Sequence, residues 1–132
     1  MSSGELAAVP YDYAAIAPAG STLFTAGACP LDSDGRVVEP GDHKAQAHRV
    51  LDNLLRVLAD NGARPEDLVR ITIYVVGTRQ DLVTVWQVVS ARLNPSRPPG
   101  TLVGVTVLGW ADQLVEMDGV AVLPAGGTTE RA

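Results

Sequence analysis

The 132-residue sequence is 46% hydrophobic and 19% charged, with a net charge of −5; this excludes a disordered chain and leaves room for one domain with a real core, hardly two. Its cations are scattered arginines and one lysine, Lys44, so no basic stripe exists to track a phosphate backbone and nucleic acid is not an expected partner. Cys29 is the only cysteine, with no metal-ligand spacing around it, and no signal pattern or apolar run near the ~20 residues of a membrane span is present. A reducing, cytoplasmic setting with no membrane partner, no metal and no cofactor is therefore expected.

The first ten residues carry no strong pattern. Tyr11 and Tyr13 lie two apart and share a face in an extended chain, either lining something or packing at an edge. Gly20-Ser21 marks a turn before Thr22-Leu23-Phe24-Thr25-Ala26, so a hairpin over about Tyr13–Ala28 is expected. Asp32-Ser33-Asp34-Gly35 reads as a solvated turn, because the later glutamate of a calcium loop is missing. Asp42 is the candidate N-cap of a helix over Lys44–Asp60, in which Ala47, Val50, Leu51, Leu54, Leu55 and Leu58 make one buried face and Asn61-Gly62 ends the run. His43 and His48, five apart and so about 140° apart on a helix, are not a metal-ligand pair and read as surface residues.

Leu68–Val76 is rich in β-branched residues and reads as a central strand, with Val69, Ile71, Ile73 and Val75 on one side. Leu82, Val85, Trp86, Val89 and Leu93 recur at helical spacing, and a loop with three prolines, Asn94–Gly100, follows. Pro98–Pro124 reads as two strands and their connection, a hairpin in which Glu116 and Asp118 share one face and Val115 and Met117 the other. That polar stripe is either a solvated face or the wall of a pocket. The small polar tail, residues 125–132, is expected to fray. Together these elements predict a single α+β domain: a mixed sheet with two helices on one face and neighbouring subunits closing the other.

The order of these elements, together with Phe24-Thr25-Ala26-Gly27 followed by Cys29-Pro30, the helix AQAHRVLDNLLRVLADNG, the strand VRITIYV and the closing LVEMDGVAV, resembles the RidA/YjgF/UK114 family of enamine/imine deaminases over nearly the whole chain. The resemblance implies a chorismate-mutase-like fold, a homotrimeric barrel and a small-molecule ligand in a cleft at the subunit interface. By the same resemblance Tyr13 matches the cleft tyrosine, Glu116 the glutamate that positions water, and Ala26 and Gly27 the backbone lining. Trp86 stands near a helix position that is often a polar amide, which makes the cleft more apolar, and Leu102 belongs to the lining strand. Gly100, after Pro99, stands where the family's carboxylate-binding arginine belongs. Arg97 lies three residues upstream, about 10 Å along an extended chain, and reaches the cleft only by a looped path across Pro98-Pro99; otherwise it is a surface arginine.

Hydrolysis of an imine needs a water held at the electrophilic carbon and a carboxylate that takes and returns protons, a role that suits Glu116. Without the arginine the expectation is a non-standard substrate, or a small-molecule-binding or regulatory trimer that has lost the chemistry; a ribonuclease, a function attributed to some relatives, fits poorly with the acidic charge. Cys29 reads as a buried, inert thiol, because nothing basic adjoins it in sequence.

Overall fold

The computed structural model describes residues 6–124; the tail expected to fray lies outside them. Four strands and two α-helices run in the order β1 (Thr22–Phe24), α1 (His43–Asp60), β2 (Leu68–Val75), α2 (Arg79–Leu93), β3 (Gly100–Gly104) and β4 (Val115–Val122). The sheet order is β1-β4-β2-β3, with β2 and β3 parallel and β4 antiparallel to both β1 and β2. No helix among the described residues is long and apolar enough to cross a membrane.

Each helix starts where a side chain satisfies its free amides. Asp42 accepts from the amide of Ala45 at 2.9 Å, and Thr78 forms a capping box with Asp81, whose carboxyl is held below its ordinary range first by the Thr78 backbone amide. Val50, Leu51, Leu54 and Leu58 of α1 and Val85 and Val89 of α2 are buried against Leu23, Ile71, Ile73, Val75, Val115, Met117 and Ala121 of the sheet. All core residues thus project from one face of the sheet, and both helices cover that face. The opposite face carries Glu116 and Asp118, together with Phe24, which is 73% exposed.

Two expected hairpins are replaced by longer-range pairing. Between Tyr13 and Ala28 only Thr22–Phe24 forms a strand, and its partner is Val120–Val122 of β4; Pro18 and Gly20 interrupt the preceding segment, and proline offers no ladder amide. Nor do β3 and β4 pair with each other: β2 lies between them. β2, whose Leu68, Ile71, Ile73 and Val75 are buried, gains from pairing on both edges, and the ten residues separating β3 from β4 give the chain length to cross it. Val69 also departs from expectation, because a bulge between Leu68 and Arg70 turns Leu68 into the core and leaves Val69 half-buried.

His48 is exposed as expected, but His43 is not a plain surface residue. Its side chain is 16% exposed, with Nε2 2.7 Å from the carbonyl of Val76 and Nδ1 3.6 Å from Asp81, tying the start of α1 to the β2–α2 turn. The sequence pattern also passed over Gln46, which is fully buried. Its amide nitrogen donates to the carbonyls of Val38, Glu39 and Asp112, and its oxygen accepts from the amide of Leu114 at 2.8 Å. One side chain thereby pins the loops before α1 and before β4. Gln46→Leu leaves these backbone groups without partners in a dry site and is expected to cost about 2–4 kcal/mol of stability in urea denaturation; a loss under about 0.5 kcal/mol would contradict the role.

Candidate functional site

Glu116 is the second residue of β4, and the strand's alternation sends it to the face away from the helices while Val115 and Met117 are fully buried. What surrounds it is delivered by the segment after β1. Ala28 exchanges both backbone hydrogen bonds with Met117, at 2.6 and 3.1 Å, and Asn53 of α1 donates to the carbonyls of Cys29 and Leu31 at 2.9 and 3.0 Å. These contacts bring Gly27 and Cys29 over the carboxylate. A methyl group on Gly27 would lie 2.7 Å from the Glu116 carboxyl carbon, so any larger residue here would push the carboxylate from this position.

One carboxylate oxygen of Glu116 has donors. Gln113, 3% exposed, donates to Oε1 at 3.0 Å and to the carbonyl of Val115 at 3.1 Å, while its own oxygen accepts from the Trp110 amide at 3.1 Å. The Cys29 thiol lies 3.5 Å from the same Oε1. Oε2 accepts no hydrogen bond among the described residues and faces Gly27. The expectation for Cys29 needs correcting in one respect: the thiol is half-buried, and its neighbour is acidic. Burial and then the Glu116 charge push its pKa up, which keeps it protonated and unreactive. Farther along the same face Tyr74 donates to Asp118 at 2.9 Å, which raises the phenol's pKa.

Gly27 therefore lies against Glu116, and Ala26 beside it in sequence is exposed. Trp86, Gly100 and Leu102 gather elsewhere: with Pro10 and Tyr11 they line a cavity of about 340 Å³. In the sheet register Gly100 is level with Ile71 and Glu116 with Tyr74. Two inter-strand spacings and three residues along the strand separate them, on the order of 14 Å between α-carbons. A Cβ on Gly100 would approach Ile71 and Trp86, which places Gly100 on the helix-covered face, opposite Glu116. The two groups do not form one site within a chain.

Tyr13 adjoins the second group through Tyr11. Their rings meet at 5.8 Å, and Tyr11 meets Trp86 edge-on at 5.9 Å and 90°; the Tyr13 hydroxyl donates to the carbonyl of Ala7 at 2.7 Å. Tyr11, rather than Tyr13, is the ring on the cavity, and their spacing of two in sequence was the only signal that they belong together. Arg97 is exposed, the second of its two expected readings, but it is not idle: its guanidinium donates to the carbonyls of Val9 and Tyr11 and lies 3.9 Å from Asp12, fastening the N-terminal segment beside Trp86. No cluster of metal-ligating side chains occurs among the described residues.

Comparison with known proteins agrees across nearly the whole chain. Residues 3–123 match the family model described as endoribonuclease L-PSP. A RutC family protein of Pyrococcus abyssi is 32% identical over 77% of this chain and 79% of its own length, and Protein DfrA of Myxococcus xanthus is 34% identical over 86% and 85%. Among solved structures, a protein of the conserved Rid family from Yersinia pestis superimposes with a TM-score of 0.87 at 30% identity, covering 93% of this chain and 96% of that one.

The thiol reports on the carboxylate. Because only thiolate reacts, a raised pKa means slower alkylation at any fixed pH, and the rate–pH profile of Cys29 with iodoacetamide is expected to centre above the ordinary value of 9.0. Glu116→Gln removes the repelling charge, moves the midpoint down and speeds alkylation at pH 8. A wild-type midpoint at or below the ordinary value would contradict this geometry.

Proposed function

The chain belongs to the endoribonuclease L-PSP family, the Rid or YjgF/UK114 proteins, and from that premise we propose that it hydrolyses a reactive imine, enamine or related small metabolite in a cleft between subunits of a homotrimer. The observation that carries this reading is the split of the site: Glu116 projects from one face of the sheet, and the Trp86–Gly100 wall lies on the other. A second copy laid against the exposed face supplies the missing wall. It also covers Phe24, otherwise 73% exposed.

In this arrangement Oε2 of Glu116 holds a water against the C=N carbon and accepts its proton as the C–O bond forms. The carboxyl passes that proton to nitrogen as the C=N π bond opens, giving the carbinolamine; the carboxylate then takes the hydroxyl proton and hands it to nitrogen as the C–N bond breaks and the C=O bond forms, so that ammonia and a carbonyl product leave. The Gln113 amide keeps Oε1 fixed during both transfers, so the carboxylate need not reorient. An enamine enters as its imine tautomer. Because Gly100 provides no cation and the Arg97 guanidinium is engaged with backbone carbonyls, substrates that rely on a free carboxylate for binding are disfavoured. The same feature favours a second reading, a trimer that binds its ligand without turning it over.

Imines generated in the assay by an amine oxidase, which carry no carboxylate, separate the two readings. Ammonia release above the buffer rate is expected, and Glu116→Gln should lower the catalysed rate by about 10²-fold or more. No acceleration of any imine would leave only the binding role, and an unchanged rate in Glu116→Gln would remove Glu116 from the mechanism.

A further inference from the structure

We propose that the wall formed by Tyr11, Trp86, Gly100 and Leu102 binds a flat, uncharged aromatic group of the ligand, its ring packed on the Trp86 indole in the space that Gly100 leaves open. The inference rests on the cleft proposed above but not on the hydrolysis. None of the five residues lining the cavity, Pro10 included, carries a charge at neutral pH, and Arg97, which lines the adjoining cavity that shares Tyr11 and Trp86, spends its guanidinium on the carbonyls of Val9 and Tyr11 and on Asp12, so an ionised group entering there would lose water and gain no free counter-charge.

The rings are held in place before any ligand arrives. Tyr11 packs edge-on against Trp86, Tyr13 backs Tyr11, and the segment carrying both tyrosines is fastened by the Asp12 amide to the Arg97 carbonyl at 3.1 Å and by the Arg97 guanidinium. A pre-set aromatic wall favours an aromatic partner, since ring pairs gain from offset or edge contact beyond the area that they bury.

Gly100 is explained by space and not by backbone geometry, because its φ is not among the positive ones. A Cβ there would sit 3.3 Å from Cγ2 of Ile71, close enough that Ile71 must give by a few tenths of an ångström, and 3.7 Å from Cζ3 of Trp86, in ordinary contact. Any longer side chain would therefore extend along the indole and fill the cavity. Its volume of about 340 Å³ lies at the small end of ligand pockets and suits one ring with a short substituent.

The probes are benzamide, benzoate and cyclohexanecarboxamide, none of which is an imine. In a Trp110→Phe background Trp86 is the only tryptophan left, so its fluorescence reports occupancy directly. Benzamide is expected to bind about tenfold more tightly than benzoate, because the carboxylate finds no counter-charge, and several-fold more tightly than the saturated amide. Gly100→Leu should abolish benzamide binding, and Gly100→Arg should reverse the order of benzamide and benzoate. Equal affinities for the three probes in the protein with Gly100 intact, or benzamide binding unchanged in Gly100→Leu, would overturn the proposal. Aromatic binding without imine turnover would remove the hydrolysis alone, and turnover without aromatic preference would remove this inference alone.

Discussion

The period-two alternation of β4 is the constraint on which the rest depends. Val115 and Met117 must enter the core beneath the helices, so Glu116 and Asp118 must leave it. β4 is paired on both sides, by β1 and β2, and cannot slip by one residue without exchanging a buried Met for a carboxylate. The acid that suits proton transfer is thereby fixed on a face that the helices never cover, while α2 and β3 build an aromatic cavity on the other.

Around that fixed carboxylate the chain arranges groups distant in sequence. Asn53 on α1 fastens the strap that carries Gly27 and Cys29, and Gln46 on the same helix pins the turn leading into Gln113 and β4. The helix does more than shield the sheet: its polar side chains set the position of both segments that touch Glu116. Hydrogen bonds made in a dry interior are costly to lose, which holds for the fully buried Gln46, and the half-buried Asn53 adds the second amide that holds the site's geometry.

Much of the fold was legible in the sequence because its signals are local. Asp42 as a cap, the apolar face of α1, the β-branched run of β2 and the outward pair Glu116 and Asp118 each follow from spacing within a few residues. Strand order was not legible in that way: nothing near Thr22 or Thr101 says that β4 lies beside β1 or that β2 separates β3 from β4, because pairing partners are chosen by burial over the whole sheet. The same limit applied to the site. Glu116 stood out by type and place, and Gly27 and Trp86 by the family resemblance, whereas Gln113 and Cys29 gained meaning only from tertiary contact, and the opposition of Gly100 to Glu116 across the sheet needed the register. The absence of an arginine at Gly100, by contrast, followed from the family resemblance alone, and the neutral lining of the cavity gives it a physical consequence.

The central claim is that a working site takes Glu116 from one copy and the Trp86 wall from another, and subunit mixing tests it most directly. Glu116→Gln and Trp86→Ala, each inactive alone, are unfolded together, refolded as mixed oligomers and assayed for imine hydrolysis. A two-chain site predicts recovery, with about a quarter of the clefts in an equal mixture combining an intact Glu116 with an intact Trp86. Mixed oligomers with no recovered activity would contradict the account.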